Sequence, residues 1–137
     1  PPGPMMRVAR CRDLVAGVSG FLASRAAAAE RAGVKRSRII LDPGIGFAKT
    51  AEHNLQLLSN LPRICSLGYP VLVGASRKLF VRTISGESAE QVSFGTAAAS
   101  AIAVLRGASI VRVHEPAANR AAVRMAAAIG RERVPLR

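Results

Sequence analysis

Apolar positions at Leu14, Val18, Phe21 and Leu22 repeat at the spacing of an amphipathic helix and predict one over residues 12–32. Gly33 is its stop, because glycine takes the left-handed backbone conformation without steric cost. Val34 to Arg38 then leads into Ile39-Ile40-Leu41, an apolar run short enough to be a buried strand. Leu55, Leu58, Leu61 and Ile64 form a second helical stripe within residues 51–67. Pro62 interrupts that stripe, since proline removes a donor and clashes with the preceding turn. Two short helices are expected there, with Pro62 near the start of the second. Gly68 closes the pair, and Pro70-Val-Leu-Val-Gly74 reads as the next strand. Ser88-Ala-Glu-Gln91 has the form of a capping box. It opens an alanine-rich helix that runs to about Arg106 and stops at Gly107. Ser109-Ile-Val-Arg-Val113 is the third strand. Glu115-Pro116 begins a last helix, because proline suits a first turn and a carboxylate suits the positive end of the helix dipole. Gly130 is its expected end, followed by a basic tail to Arg137 that is expected to fray.

The order is helix, then strand and helix three times over. From Ile39 to Val71 and from Val71 to Ile110 the spacings are 32 and 39 residues, which suits βα units of roughly 30 residues each. The expected class is therefore α/β with parallel strands. Three strands do not close a barrel, and a (β/α)8 barrel takes about 250 residues. The chain reads as about the last three βα units of such a barrel plus a preceding helix, with a small open sheet as the other candidate. Residues 1–137 read as one domain. Pro1-Pro-Gly-Pro-Met-Met6 looks like the middle of a loop, so the chain is expected to be a fragment or a processed piece.

Composition narrows the partners. Lysine and arginine number 20 against 8 aspartates and glutamates, a formal charge of +12 that favours anionic ligands by steering. Arg25, Arg31, Arg36, Arg120, Arg124 and Arg131 nevertheless sit at polar positions of helical segments, where solvated faces are usual. Phe21, Phe47, Tyr69, Phe80 and Phe94 are scattered rather than interleaved with a basic stripe, which argues against nucleic acid. No apolar run approaches the roughly 20 residues of a membrane helix, so no membrane partner is expected and cytoplasmic residence is the default. Cys11 and Cys65 form neither a metal pair nor a disulfide framework. Cys65 lies in an apolar pattern and reads as a small buried thiol.

The candidate chemistry gathers where the three predicted strands end, which is where parallel α/β proteins build their sites. Asp42 follows Ile39-Ile40-Leu41 and faces the loop. A carboxylate there can accept two hydrogen bonds from an amidine-like N–C–NH2 edge; Asp42-Pro43-Gly44 is equally a good turn sequence in its own right. Gly44 and Gly46 allow close backbone approach. Neither a dinucleotide fingerprint nor a P-loop is present. Ser76 and Lys78 share a face if the backbone stays extended, with Arg77 pointing elsewhere; the run is also readable as a solvated basic turn. Arg112 and His114 obey the same alternation and form a plausible diphosphate clamp. Phe47 is a stacking face or an ordinary apolar plug. His53, early in a helix, is assigned to the surface or to capping.

These motifs resemble those of the dihydropteroate synthase family, the sulfonamide target of folate synthesis. Asp42-Pro-Gly-Ile-Gly-Phe47, Gly74-Ala-Ser-Arg-Lys78 and Arg112-Val-His114 match its last three strand-end motifs in order and approximate spacing. Lys49-Thr50 and Glu52-His53-Asn54 are similar to the family's residues just after the first motif. The resemblance implies the carboxyl-terminal part of a single pterin-binding (β/α)8 barrel over residues 1–137. It implies an enzyme that joins 7,8-dihydropterin-6-ylmethyl diphosphate to 4-aminobenzoate, giving 7,8-dihydropteroate and diphosphate. By the same resemblance, Asp42 holds the pterin's amino-pyrimidine edge and Lys78 another part of the pterin. Arg112 lies against the pterin and, with His114, holds the diphosphate. Ser76 and Phe47 line the aminobenzoate pocket, with Arg77 nearby. Lys78, Arg112 and His114 are the implied catalytic groups. Carbon–oxygen cleavage runs ahead of amine attack in the family and Mg2+ assists the diphosphate, its protein ligand lying outside this chain. A homodimer of the full-length protein is also compatible.

The sequence departs from the family's usual His-Asp-Val at His114-Glu115-Pro116, and from a frequent Ile-Gly at Arg82-Thr83. A catalytically inactive pterin-binding or regulatory paralogue is one alternative. A pterin-binding methyltransferase-like barrel is another, against which Ser76-Arg77-Lys78 argues. Because the family's first five strands and their site residues have no counterpart here, the isolated 137 residues are expected to lack turnover. Dihydropteroate formed by this chain alone would overturn that.

Overall fold

The computed structural model describes residues 13–132. The reading of Pro1–Met6 as a loop, Cys11, position 12 of the first helix and the tail beyond Glu132 lie outside them.

Helix α1 (Leu14–Arg31) starts at Asp13, whose carboxylate accepts the Ala16 amide at 2.9 Å. Its buried face is Leu14, Val15, Val18, Leu22 and Ala26. The chain turns at Gly33 (φ 91°) and passes a short 3-10 turn, Arg36–Arg38. Arg36 is solvent-facing but far from idle. Its guanidinium stacks 3.8 Å over Tyr69 and donates to the carbonyls of Leu67 and Gly68 and to Glu30. It thereby ties the end of α1 to the turn before the central strand.

Helices α2 (Ala51–Ser59) and α3 (Leu61–Cys65) follow, split as Pro62 requires. Thr50 and His53 form a reciprocal capping box at the start of α2, the capping role expected of His53. Strand β1 (Leu72–Val73) is central. It pairs in parallel with β2 (Ile110–Val111) in the register Leu72 to Ile110 and Val73 to Val111. On its other side Leu41 forms a parallel bridge with Val71, through Leu41 N–H to Pro70 O at 2.9 Å and Leu72 N–H to Leu41 O at 2.8 Å. Helices α4 (Leu79–Ser85), α5 (Ala89–Leu105) and α6 (Pro116–Arg131) complete the chain. Ser88 and Gln91 form the expected capping box.

The core lies between sheet and helices. Leu57, Leu61 and Ile64 are 0 % exposed, against Val71, Val73, Ile45 and Leu41. Each such side chain contributes roughly 1.5–3 kcal/mol by leaving water. A methyl on Gly95 would collide with Ser85 and Val81, so α4 and α5 meet there at backbone distance.

Four expectations change. The strands are shorter than read, the first reduced to a single bridge at Leu41. The α2 stripe runs through Leu57 rather than Leu55, which faces outward; the break at Asn60 shifts the phase of the helix before Pro62. Helix α4 is absent from the sequence pattern, because it buries the adjacent pair Phe80 and Val81 while Leu79 stays 78 % exposed, and so lacks a helical stripe. Gly130 lies inside α6, which continues to Arg131.

Among the described residues, the Leu41 segment and β2 each have β1 as their one paired neighbour, and Ile40 and Ile110 are exposed. Unpaired apolar edges recruit other chains. The 137-residue chain expressed by itself is expected to self-associate, with a light-scattering mass that rises with concentration. A sharp, concentration-independent monomeric melt would count against this.

Candidate functional site

Because the three strand segments run parallel, the loops after Leu41, after β1 and after β2 emerge on one face. A cavity of about 310 Å³ opens there, lined by Gly74, Ser76, Lys78, Arg112, Val113 and His114. A second hollow of about 420 Å³ lies between α2, α4 and α5. Its walls are mainly apolar, including Leu55, Leu58, Phe80, Ile84 and Ile102, so it offers little to orient a polar ligand.

The first loop is built around Asp42. Its Oδ1 accepts the Gly44 amide at 2.8 Å, closing the Asp-Pro-Gly turn, while Oδ2 lies 3.5 Å from Arg112 Nη2. The turn reading of Asp42 is met by Oδ1, and Oδ2 is held by an arginine. With side chains 36 % and 59 % exposed, the Asp42–Arg112 pair is weak and open to exchange. The turn beyond it is held from behind. Asn54, 2 % exposed on α2, accepts the Gly46 amide at 2.7 Å and donates to Thr50 O at 2.8 Å. Lys49 donates to the carbonyls of Gly44 and Phe47. Burial pushes the Lys49 ammonium below its ordinary pKa, and the Asp42 charge partly restores it.

Gly46 has φ 79°, and a β-carbon there would come 2.6 Å from Lys78 Cδ. The missing side chain lets the Lys78 stem cross the loop, setting its ammonium 3.7 Å over the Phe47 ring. Phe47 therefore works here as a face for a cation, while its other surface stays exposed.

Ser76 and Lys78 do share the cavity, although the backbone is not extended. Arg77 has φ 57°, a left-handed turn residue, and it sends its guanidinium away from the cavity to Glu115 Oε1 at 2.9 Å. Ser76 Oγ lies 2.9 Å from His114 Nδ1 and accepts the His114 amide at 3.2 Å. The Ser76 hydroxyl thus ties both the ring and the backbone of His114 to the loop after β1, leaving Nε2 as the ring nitrogen free to meet a ligand. Arg112 and His114 both line the cavity, and Val113 between them does so too. Cys65 is only half-buried; burial raises its thiol pKa, so it is a poor nucleophile at neutral pH.

Asn54, Lys49, Glu115 and Thr96 hold the site, a role that residue-level reading of the sequence assigns to none of them. One signal for Asn54 does exist: registering the α2 stripe on Leu57, Leu58 and Leu61 places it on the buried face, a polar residue where an apolar one is expected. Asn54→Ala strands the Gly46 amide and is expected to cost about 1–3 kcal/mol. This is read as a lower urea midpoint at unchanged slope. An unshifted midpoint would show that water replaces the bond.

Residues 2–114 match the pterin binding enzyme family. The dihydropteroate synthase of Streptococcus pyogenes serotype M6 is 46% identical over 110 residues, 79% of this chain and 41% of that protein. Among solved structures, Xanthomonas albilineans dihydropteroate synthase in complex with 7,8-dihydropteroate superimposes with a TM-score of 0.84 at 43% identity, covering 93% of this chain and 48% of that one. The Thermus thermophilus enzyme in complex with 4-aminobenzoate gives 0.82 at 46% identity, covering 93% and 53%. The chain thus spans about half the length, or less, of these relatives. The fold is a part of the (β/α)8 barrel of these enzymes. Over most of its length, by sequence and by fold, the chain belongs to the pterin-binding enzyme family.

Proposed function

We propose that the protein carrying these residues is a dihydropteroate synthase, condensing 7,8-dihydropterin-6-ylmethyl diphosphate with 4-aminobenzoate to 7,8-dihydropteroate and diphosphate. The observation that carries the reading is the convergence of Lys78, Arg112 and the Ser76–His114 pair on one cavity, with the Asp42 carboxylate at its edge. Relatives solved with 7,8-dihydropteroate and with 4-aminobenzoate support the substrate pair.

The reaction breaks the bond between the pterin methylene and a diphosphate oxygen and forms one to the arylamine nitrogen. The departing oxygen takes the bonding pair, and the nitrogen loses a proton. What the site must supply is positive charge where the diphosphate leaves, together with a fixed angle of approach for the amine. Arg112 offers a planar fork to phosphate oxygens, and His114 offers a ring N–H beside it. Asp42 releases Arg112 and accepts the N–H edge of the pterin, keeping Oδ1 on Gly44 so that the carboxylate does not turn. Lys78, steadied over Phe47, donates to the pterin ring. Ser76 borders the arylamine.

Magnesium is a further expectation for the whole protein. Among the described residues no cluster of three His, Cys, Asp or Glu side chains could hold a metal. This segment by itself does not fit the ion, and no step is derived through it. Among the described residues no helix is long and apolar enough to cross a membrane.

The test is a condensation assay on the complete protein with dihydropterin diphosphate, 4-aminobenzoate and magnesium. Asp42→Ala and Lys78→Ala are each expected to lower kcat/KM by about 10²-fold or more with circular dichroism unchanged. Activity that survives both substitutions would remove the site assignment. An inactive wild type that still binds pterin would move the reading to a binding or regulatory paralogue.

A further inference from the structure

The loops after β1 and β2 are joined twice over. Ser76 meets His114, and the next residues along, Arg77 and Glu115, meet in turn. The first rung faces the cavity. The second faces α5 and α6, where Glu115 is the hub. Its Oε1 accepts from Arg77 Nη2 at 2.9 Å and its Oε2 from Ser93 Oγ at 3.1 Å. Its carbonyl accepts from Asn119 Nδ2 at 3.0 Å. Thr96, one turn beyond Ser93 on α5, accepts the Arg77 amide at 3.2 Å, and Ser100, the next on that stripe, donates to Asn119 Oδ1 at 3.0 Å. Thr96, Ser100 and Asn119 are all buried. A polar seam along α5 thus fixes the places where both loops leave the sheet.

The seam has something to hold. Arg77 sits at φ 57°, a left-handed conformation that is strained for a residue with a β-carbon. That turn is what puts Ser76 and Lys78 on the cavity side although they flank a residue that faces away. Glu115 is the N-cap of α6, as the sequence predicts, but it makes no side-chain cap hydrogen bond there: both carboxylate oxygens are spent on Arg77 and Ser93. The ion pair itself is half-exposed, 51 % for Arg77 and 44 % for Glu115, and so adds little stability of its own.

We infer that Glu115 is a positioning residue: through Arg77 and Ser93 it holds the Ser76–Lys78 turn against the end of β2, and so fixes Ser76 where it orients His114, one of the two groups proposed to hold the diphosphate. Arg77 on this account is a strut rather than a ligand. The inference deepens the proposed function and rests on it for the identity of the anion.

A double-mutant cycle on the complete protein tests it, reading the affinity for inorganic diphosphate by calorimetry, which needs no turnover. Glu115→Ala is expected to bind diphosphate about 10-fold more weakly, between the few-fold worth of an exposed pair and the 10²-fold cost of a misplaced group. Arg77→Ala should lose the same factor, and the double variant no more than either. Glu115→Asp, which keeps the charge but falls short of bridging Arg77 and Ser93 together, should recover only part. Thermal midpoints should stay close to that of the wild type. Three results would overturn the inference: wild-type affinity in Glu115→Ala, multiplicative losses in the double variant, or a lower midpoint with unchanged affinity. If the wild type shows neither diphosphate binding nor condensation, the proposed function falls as well. If it shows both while Glu115→Ala matches it, only the positioning role falls.

Discussion

Everything at the site depends on the backbone ladder that runs from Leu41 through β1 to β2. It is short, a bridge and a two-residue pair, yet it fixes the level at which each segment stops. Leu72 opposite Ile110 and Val73 opposite Val111 bring Ser76 and His114 to the same height. The bridge of Leu41 to Val71 carries Asp42 to the edge of the same cavity, 3.5 Å from Arg112. A register slip of one residue would turn Arg112 and His114 to the opposite face. The fully buried Val71 and Val73 guard against that slip, because they would have to leave the core for it to happen.

Upon this ladder the polar groups divide into two kinds. Those aimed at the cavity are left with loose or exchangeable partners: Asp42 with Arg112, Lys78 with an aromatic face. Those behind it are tightly bonded and mostly buried, such as Asn54 under the glycine turn and Thr96, Ser100 and Asn119 along the α5 seam. Buried polar groups are worth having only when satisfied, and among the described residues only the Ser19 hydroxyl is both buried and without a partner. It lies on α1, apart from the site.

The larger features are readable in the sequence because each has a local cause. Pro62 splits a helix wherever it occurs, Ser88 and Gln91 cap each other across three residues, and parallel strands alternate inward and outward. The motifs at the strand ends are readable for the same reason. What stays hidden is set by contacts between distant segments. Arg77 takes a left-handed turn only because Thr96 and Glu115, 19 and 38 residues away, receive it. Glu115 looks like a helix-start residue from its neighbours and becomes a brace only when α5 lies beside it. Leu55 and Leu57 are equally apolar, and packing alone decides which one faces in.

The loose contact between Asp42 and Arg112 has a consequence for selectivity. In the structure each is the other's stand-in partner, although both side chains remain partly exposed. A small anion that draws off the arginine leaves the carboxylate stranded, and a neutral hydrogen-bond donor that engages the carboxylate leaves the arginine stranded. Only a molecule carrying a donor edge and an acceptor or anionic group at the right separation replaces both at once. The pair is weak enough to open, and such a molecule gives a new partner to both of its ends in one binding event.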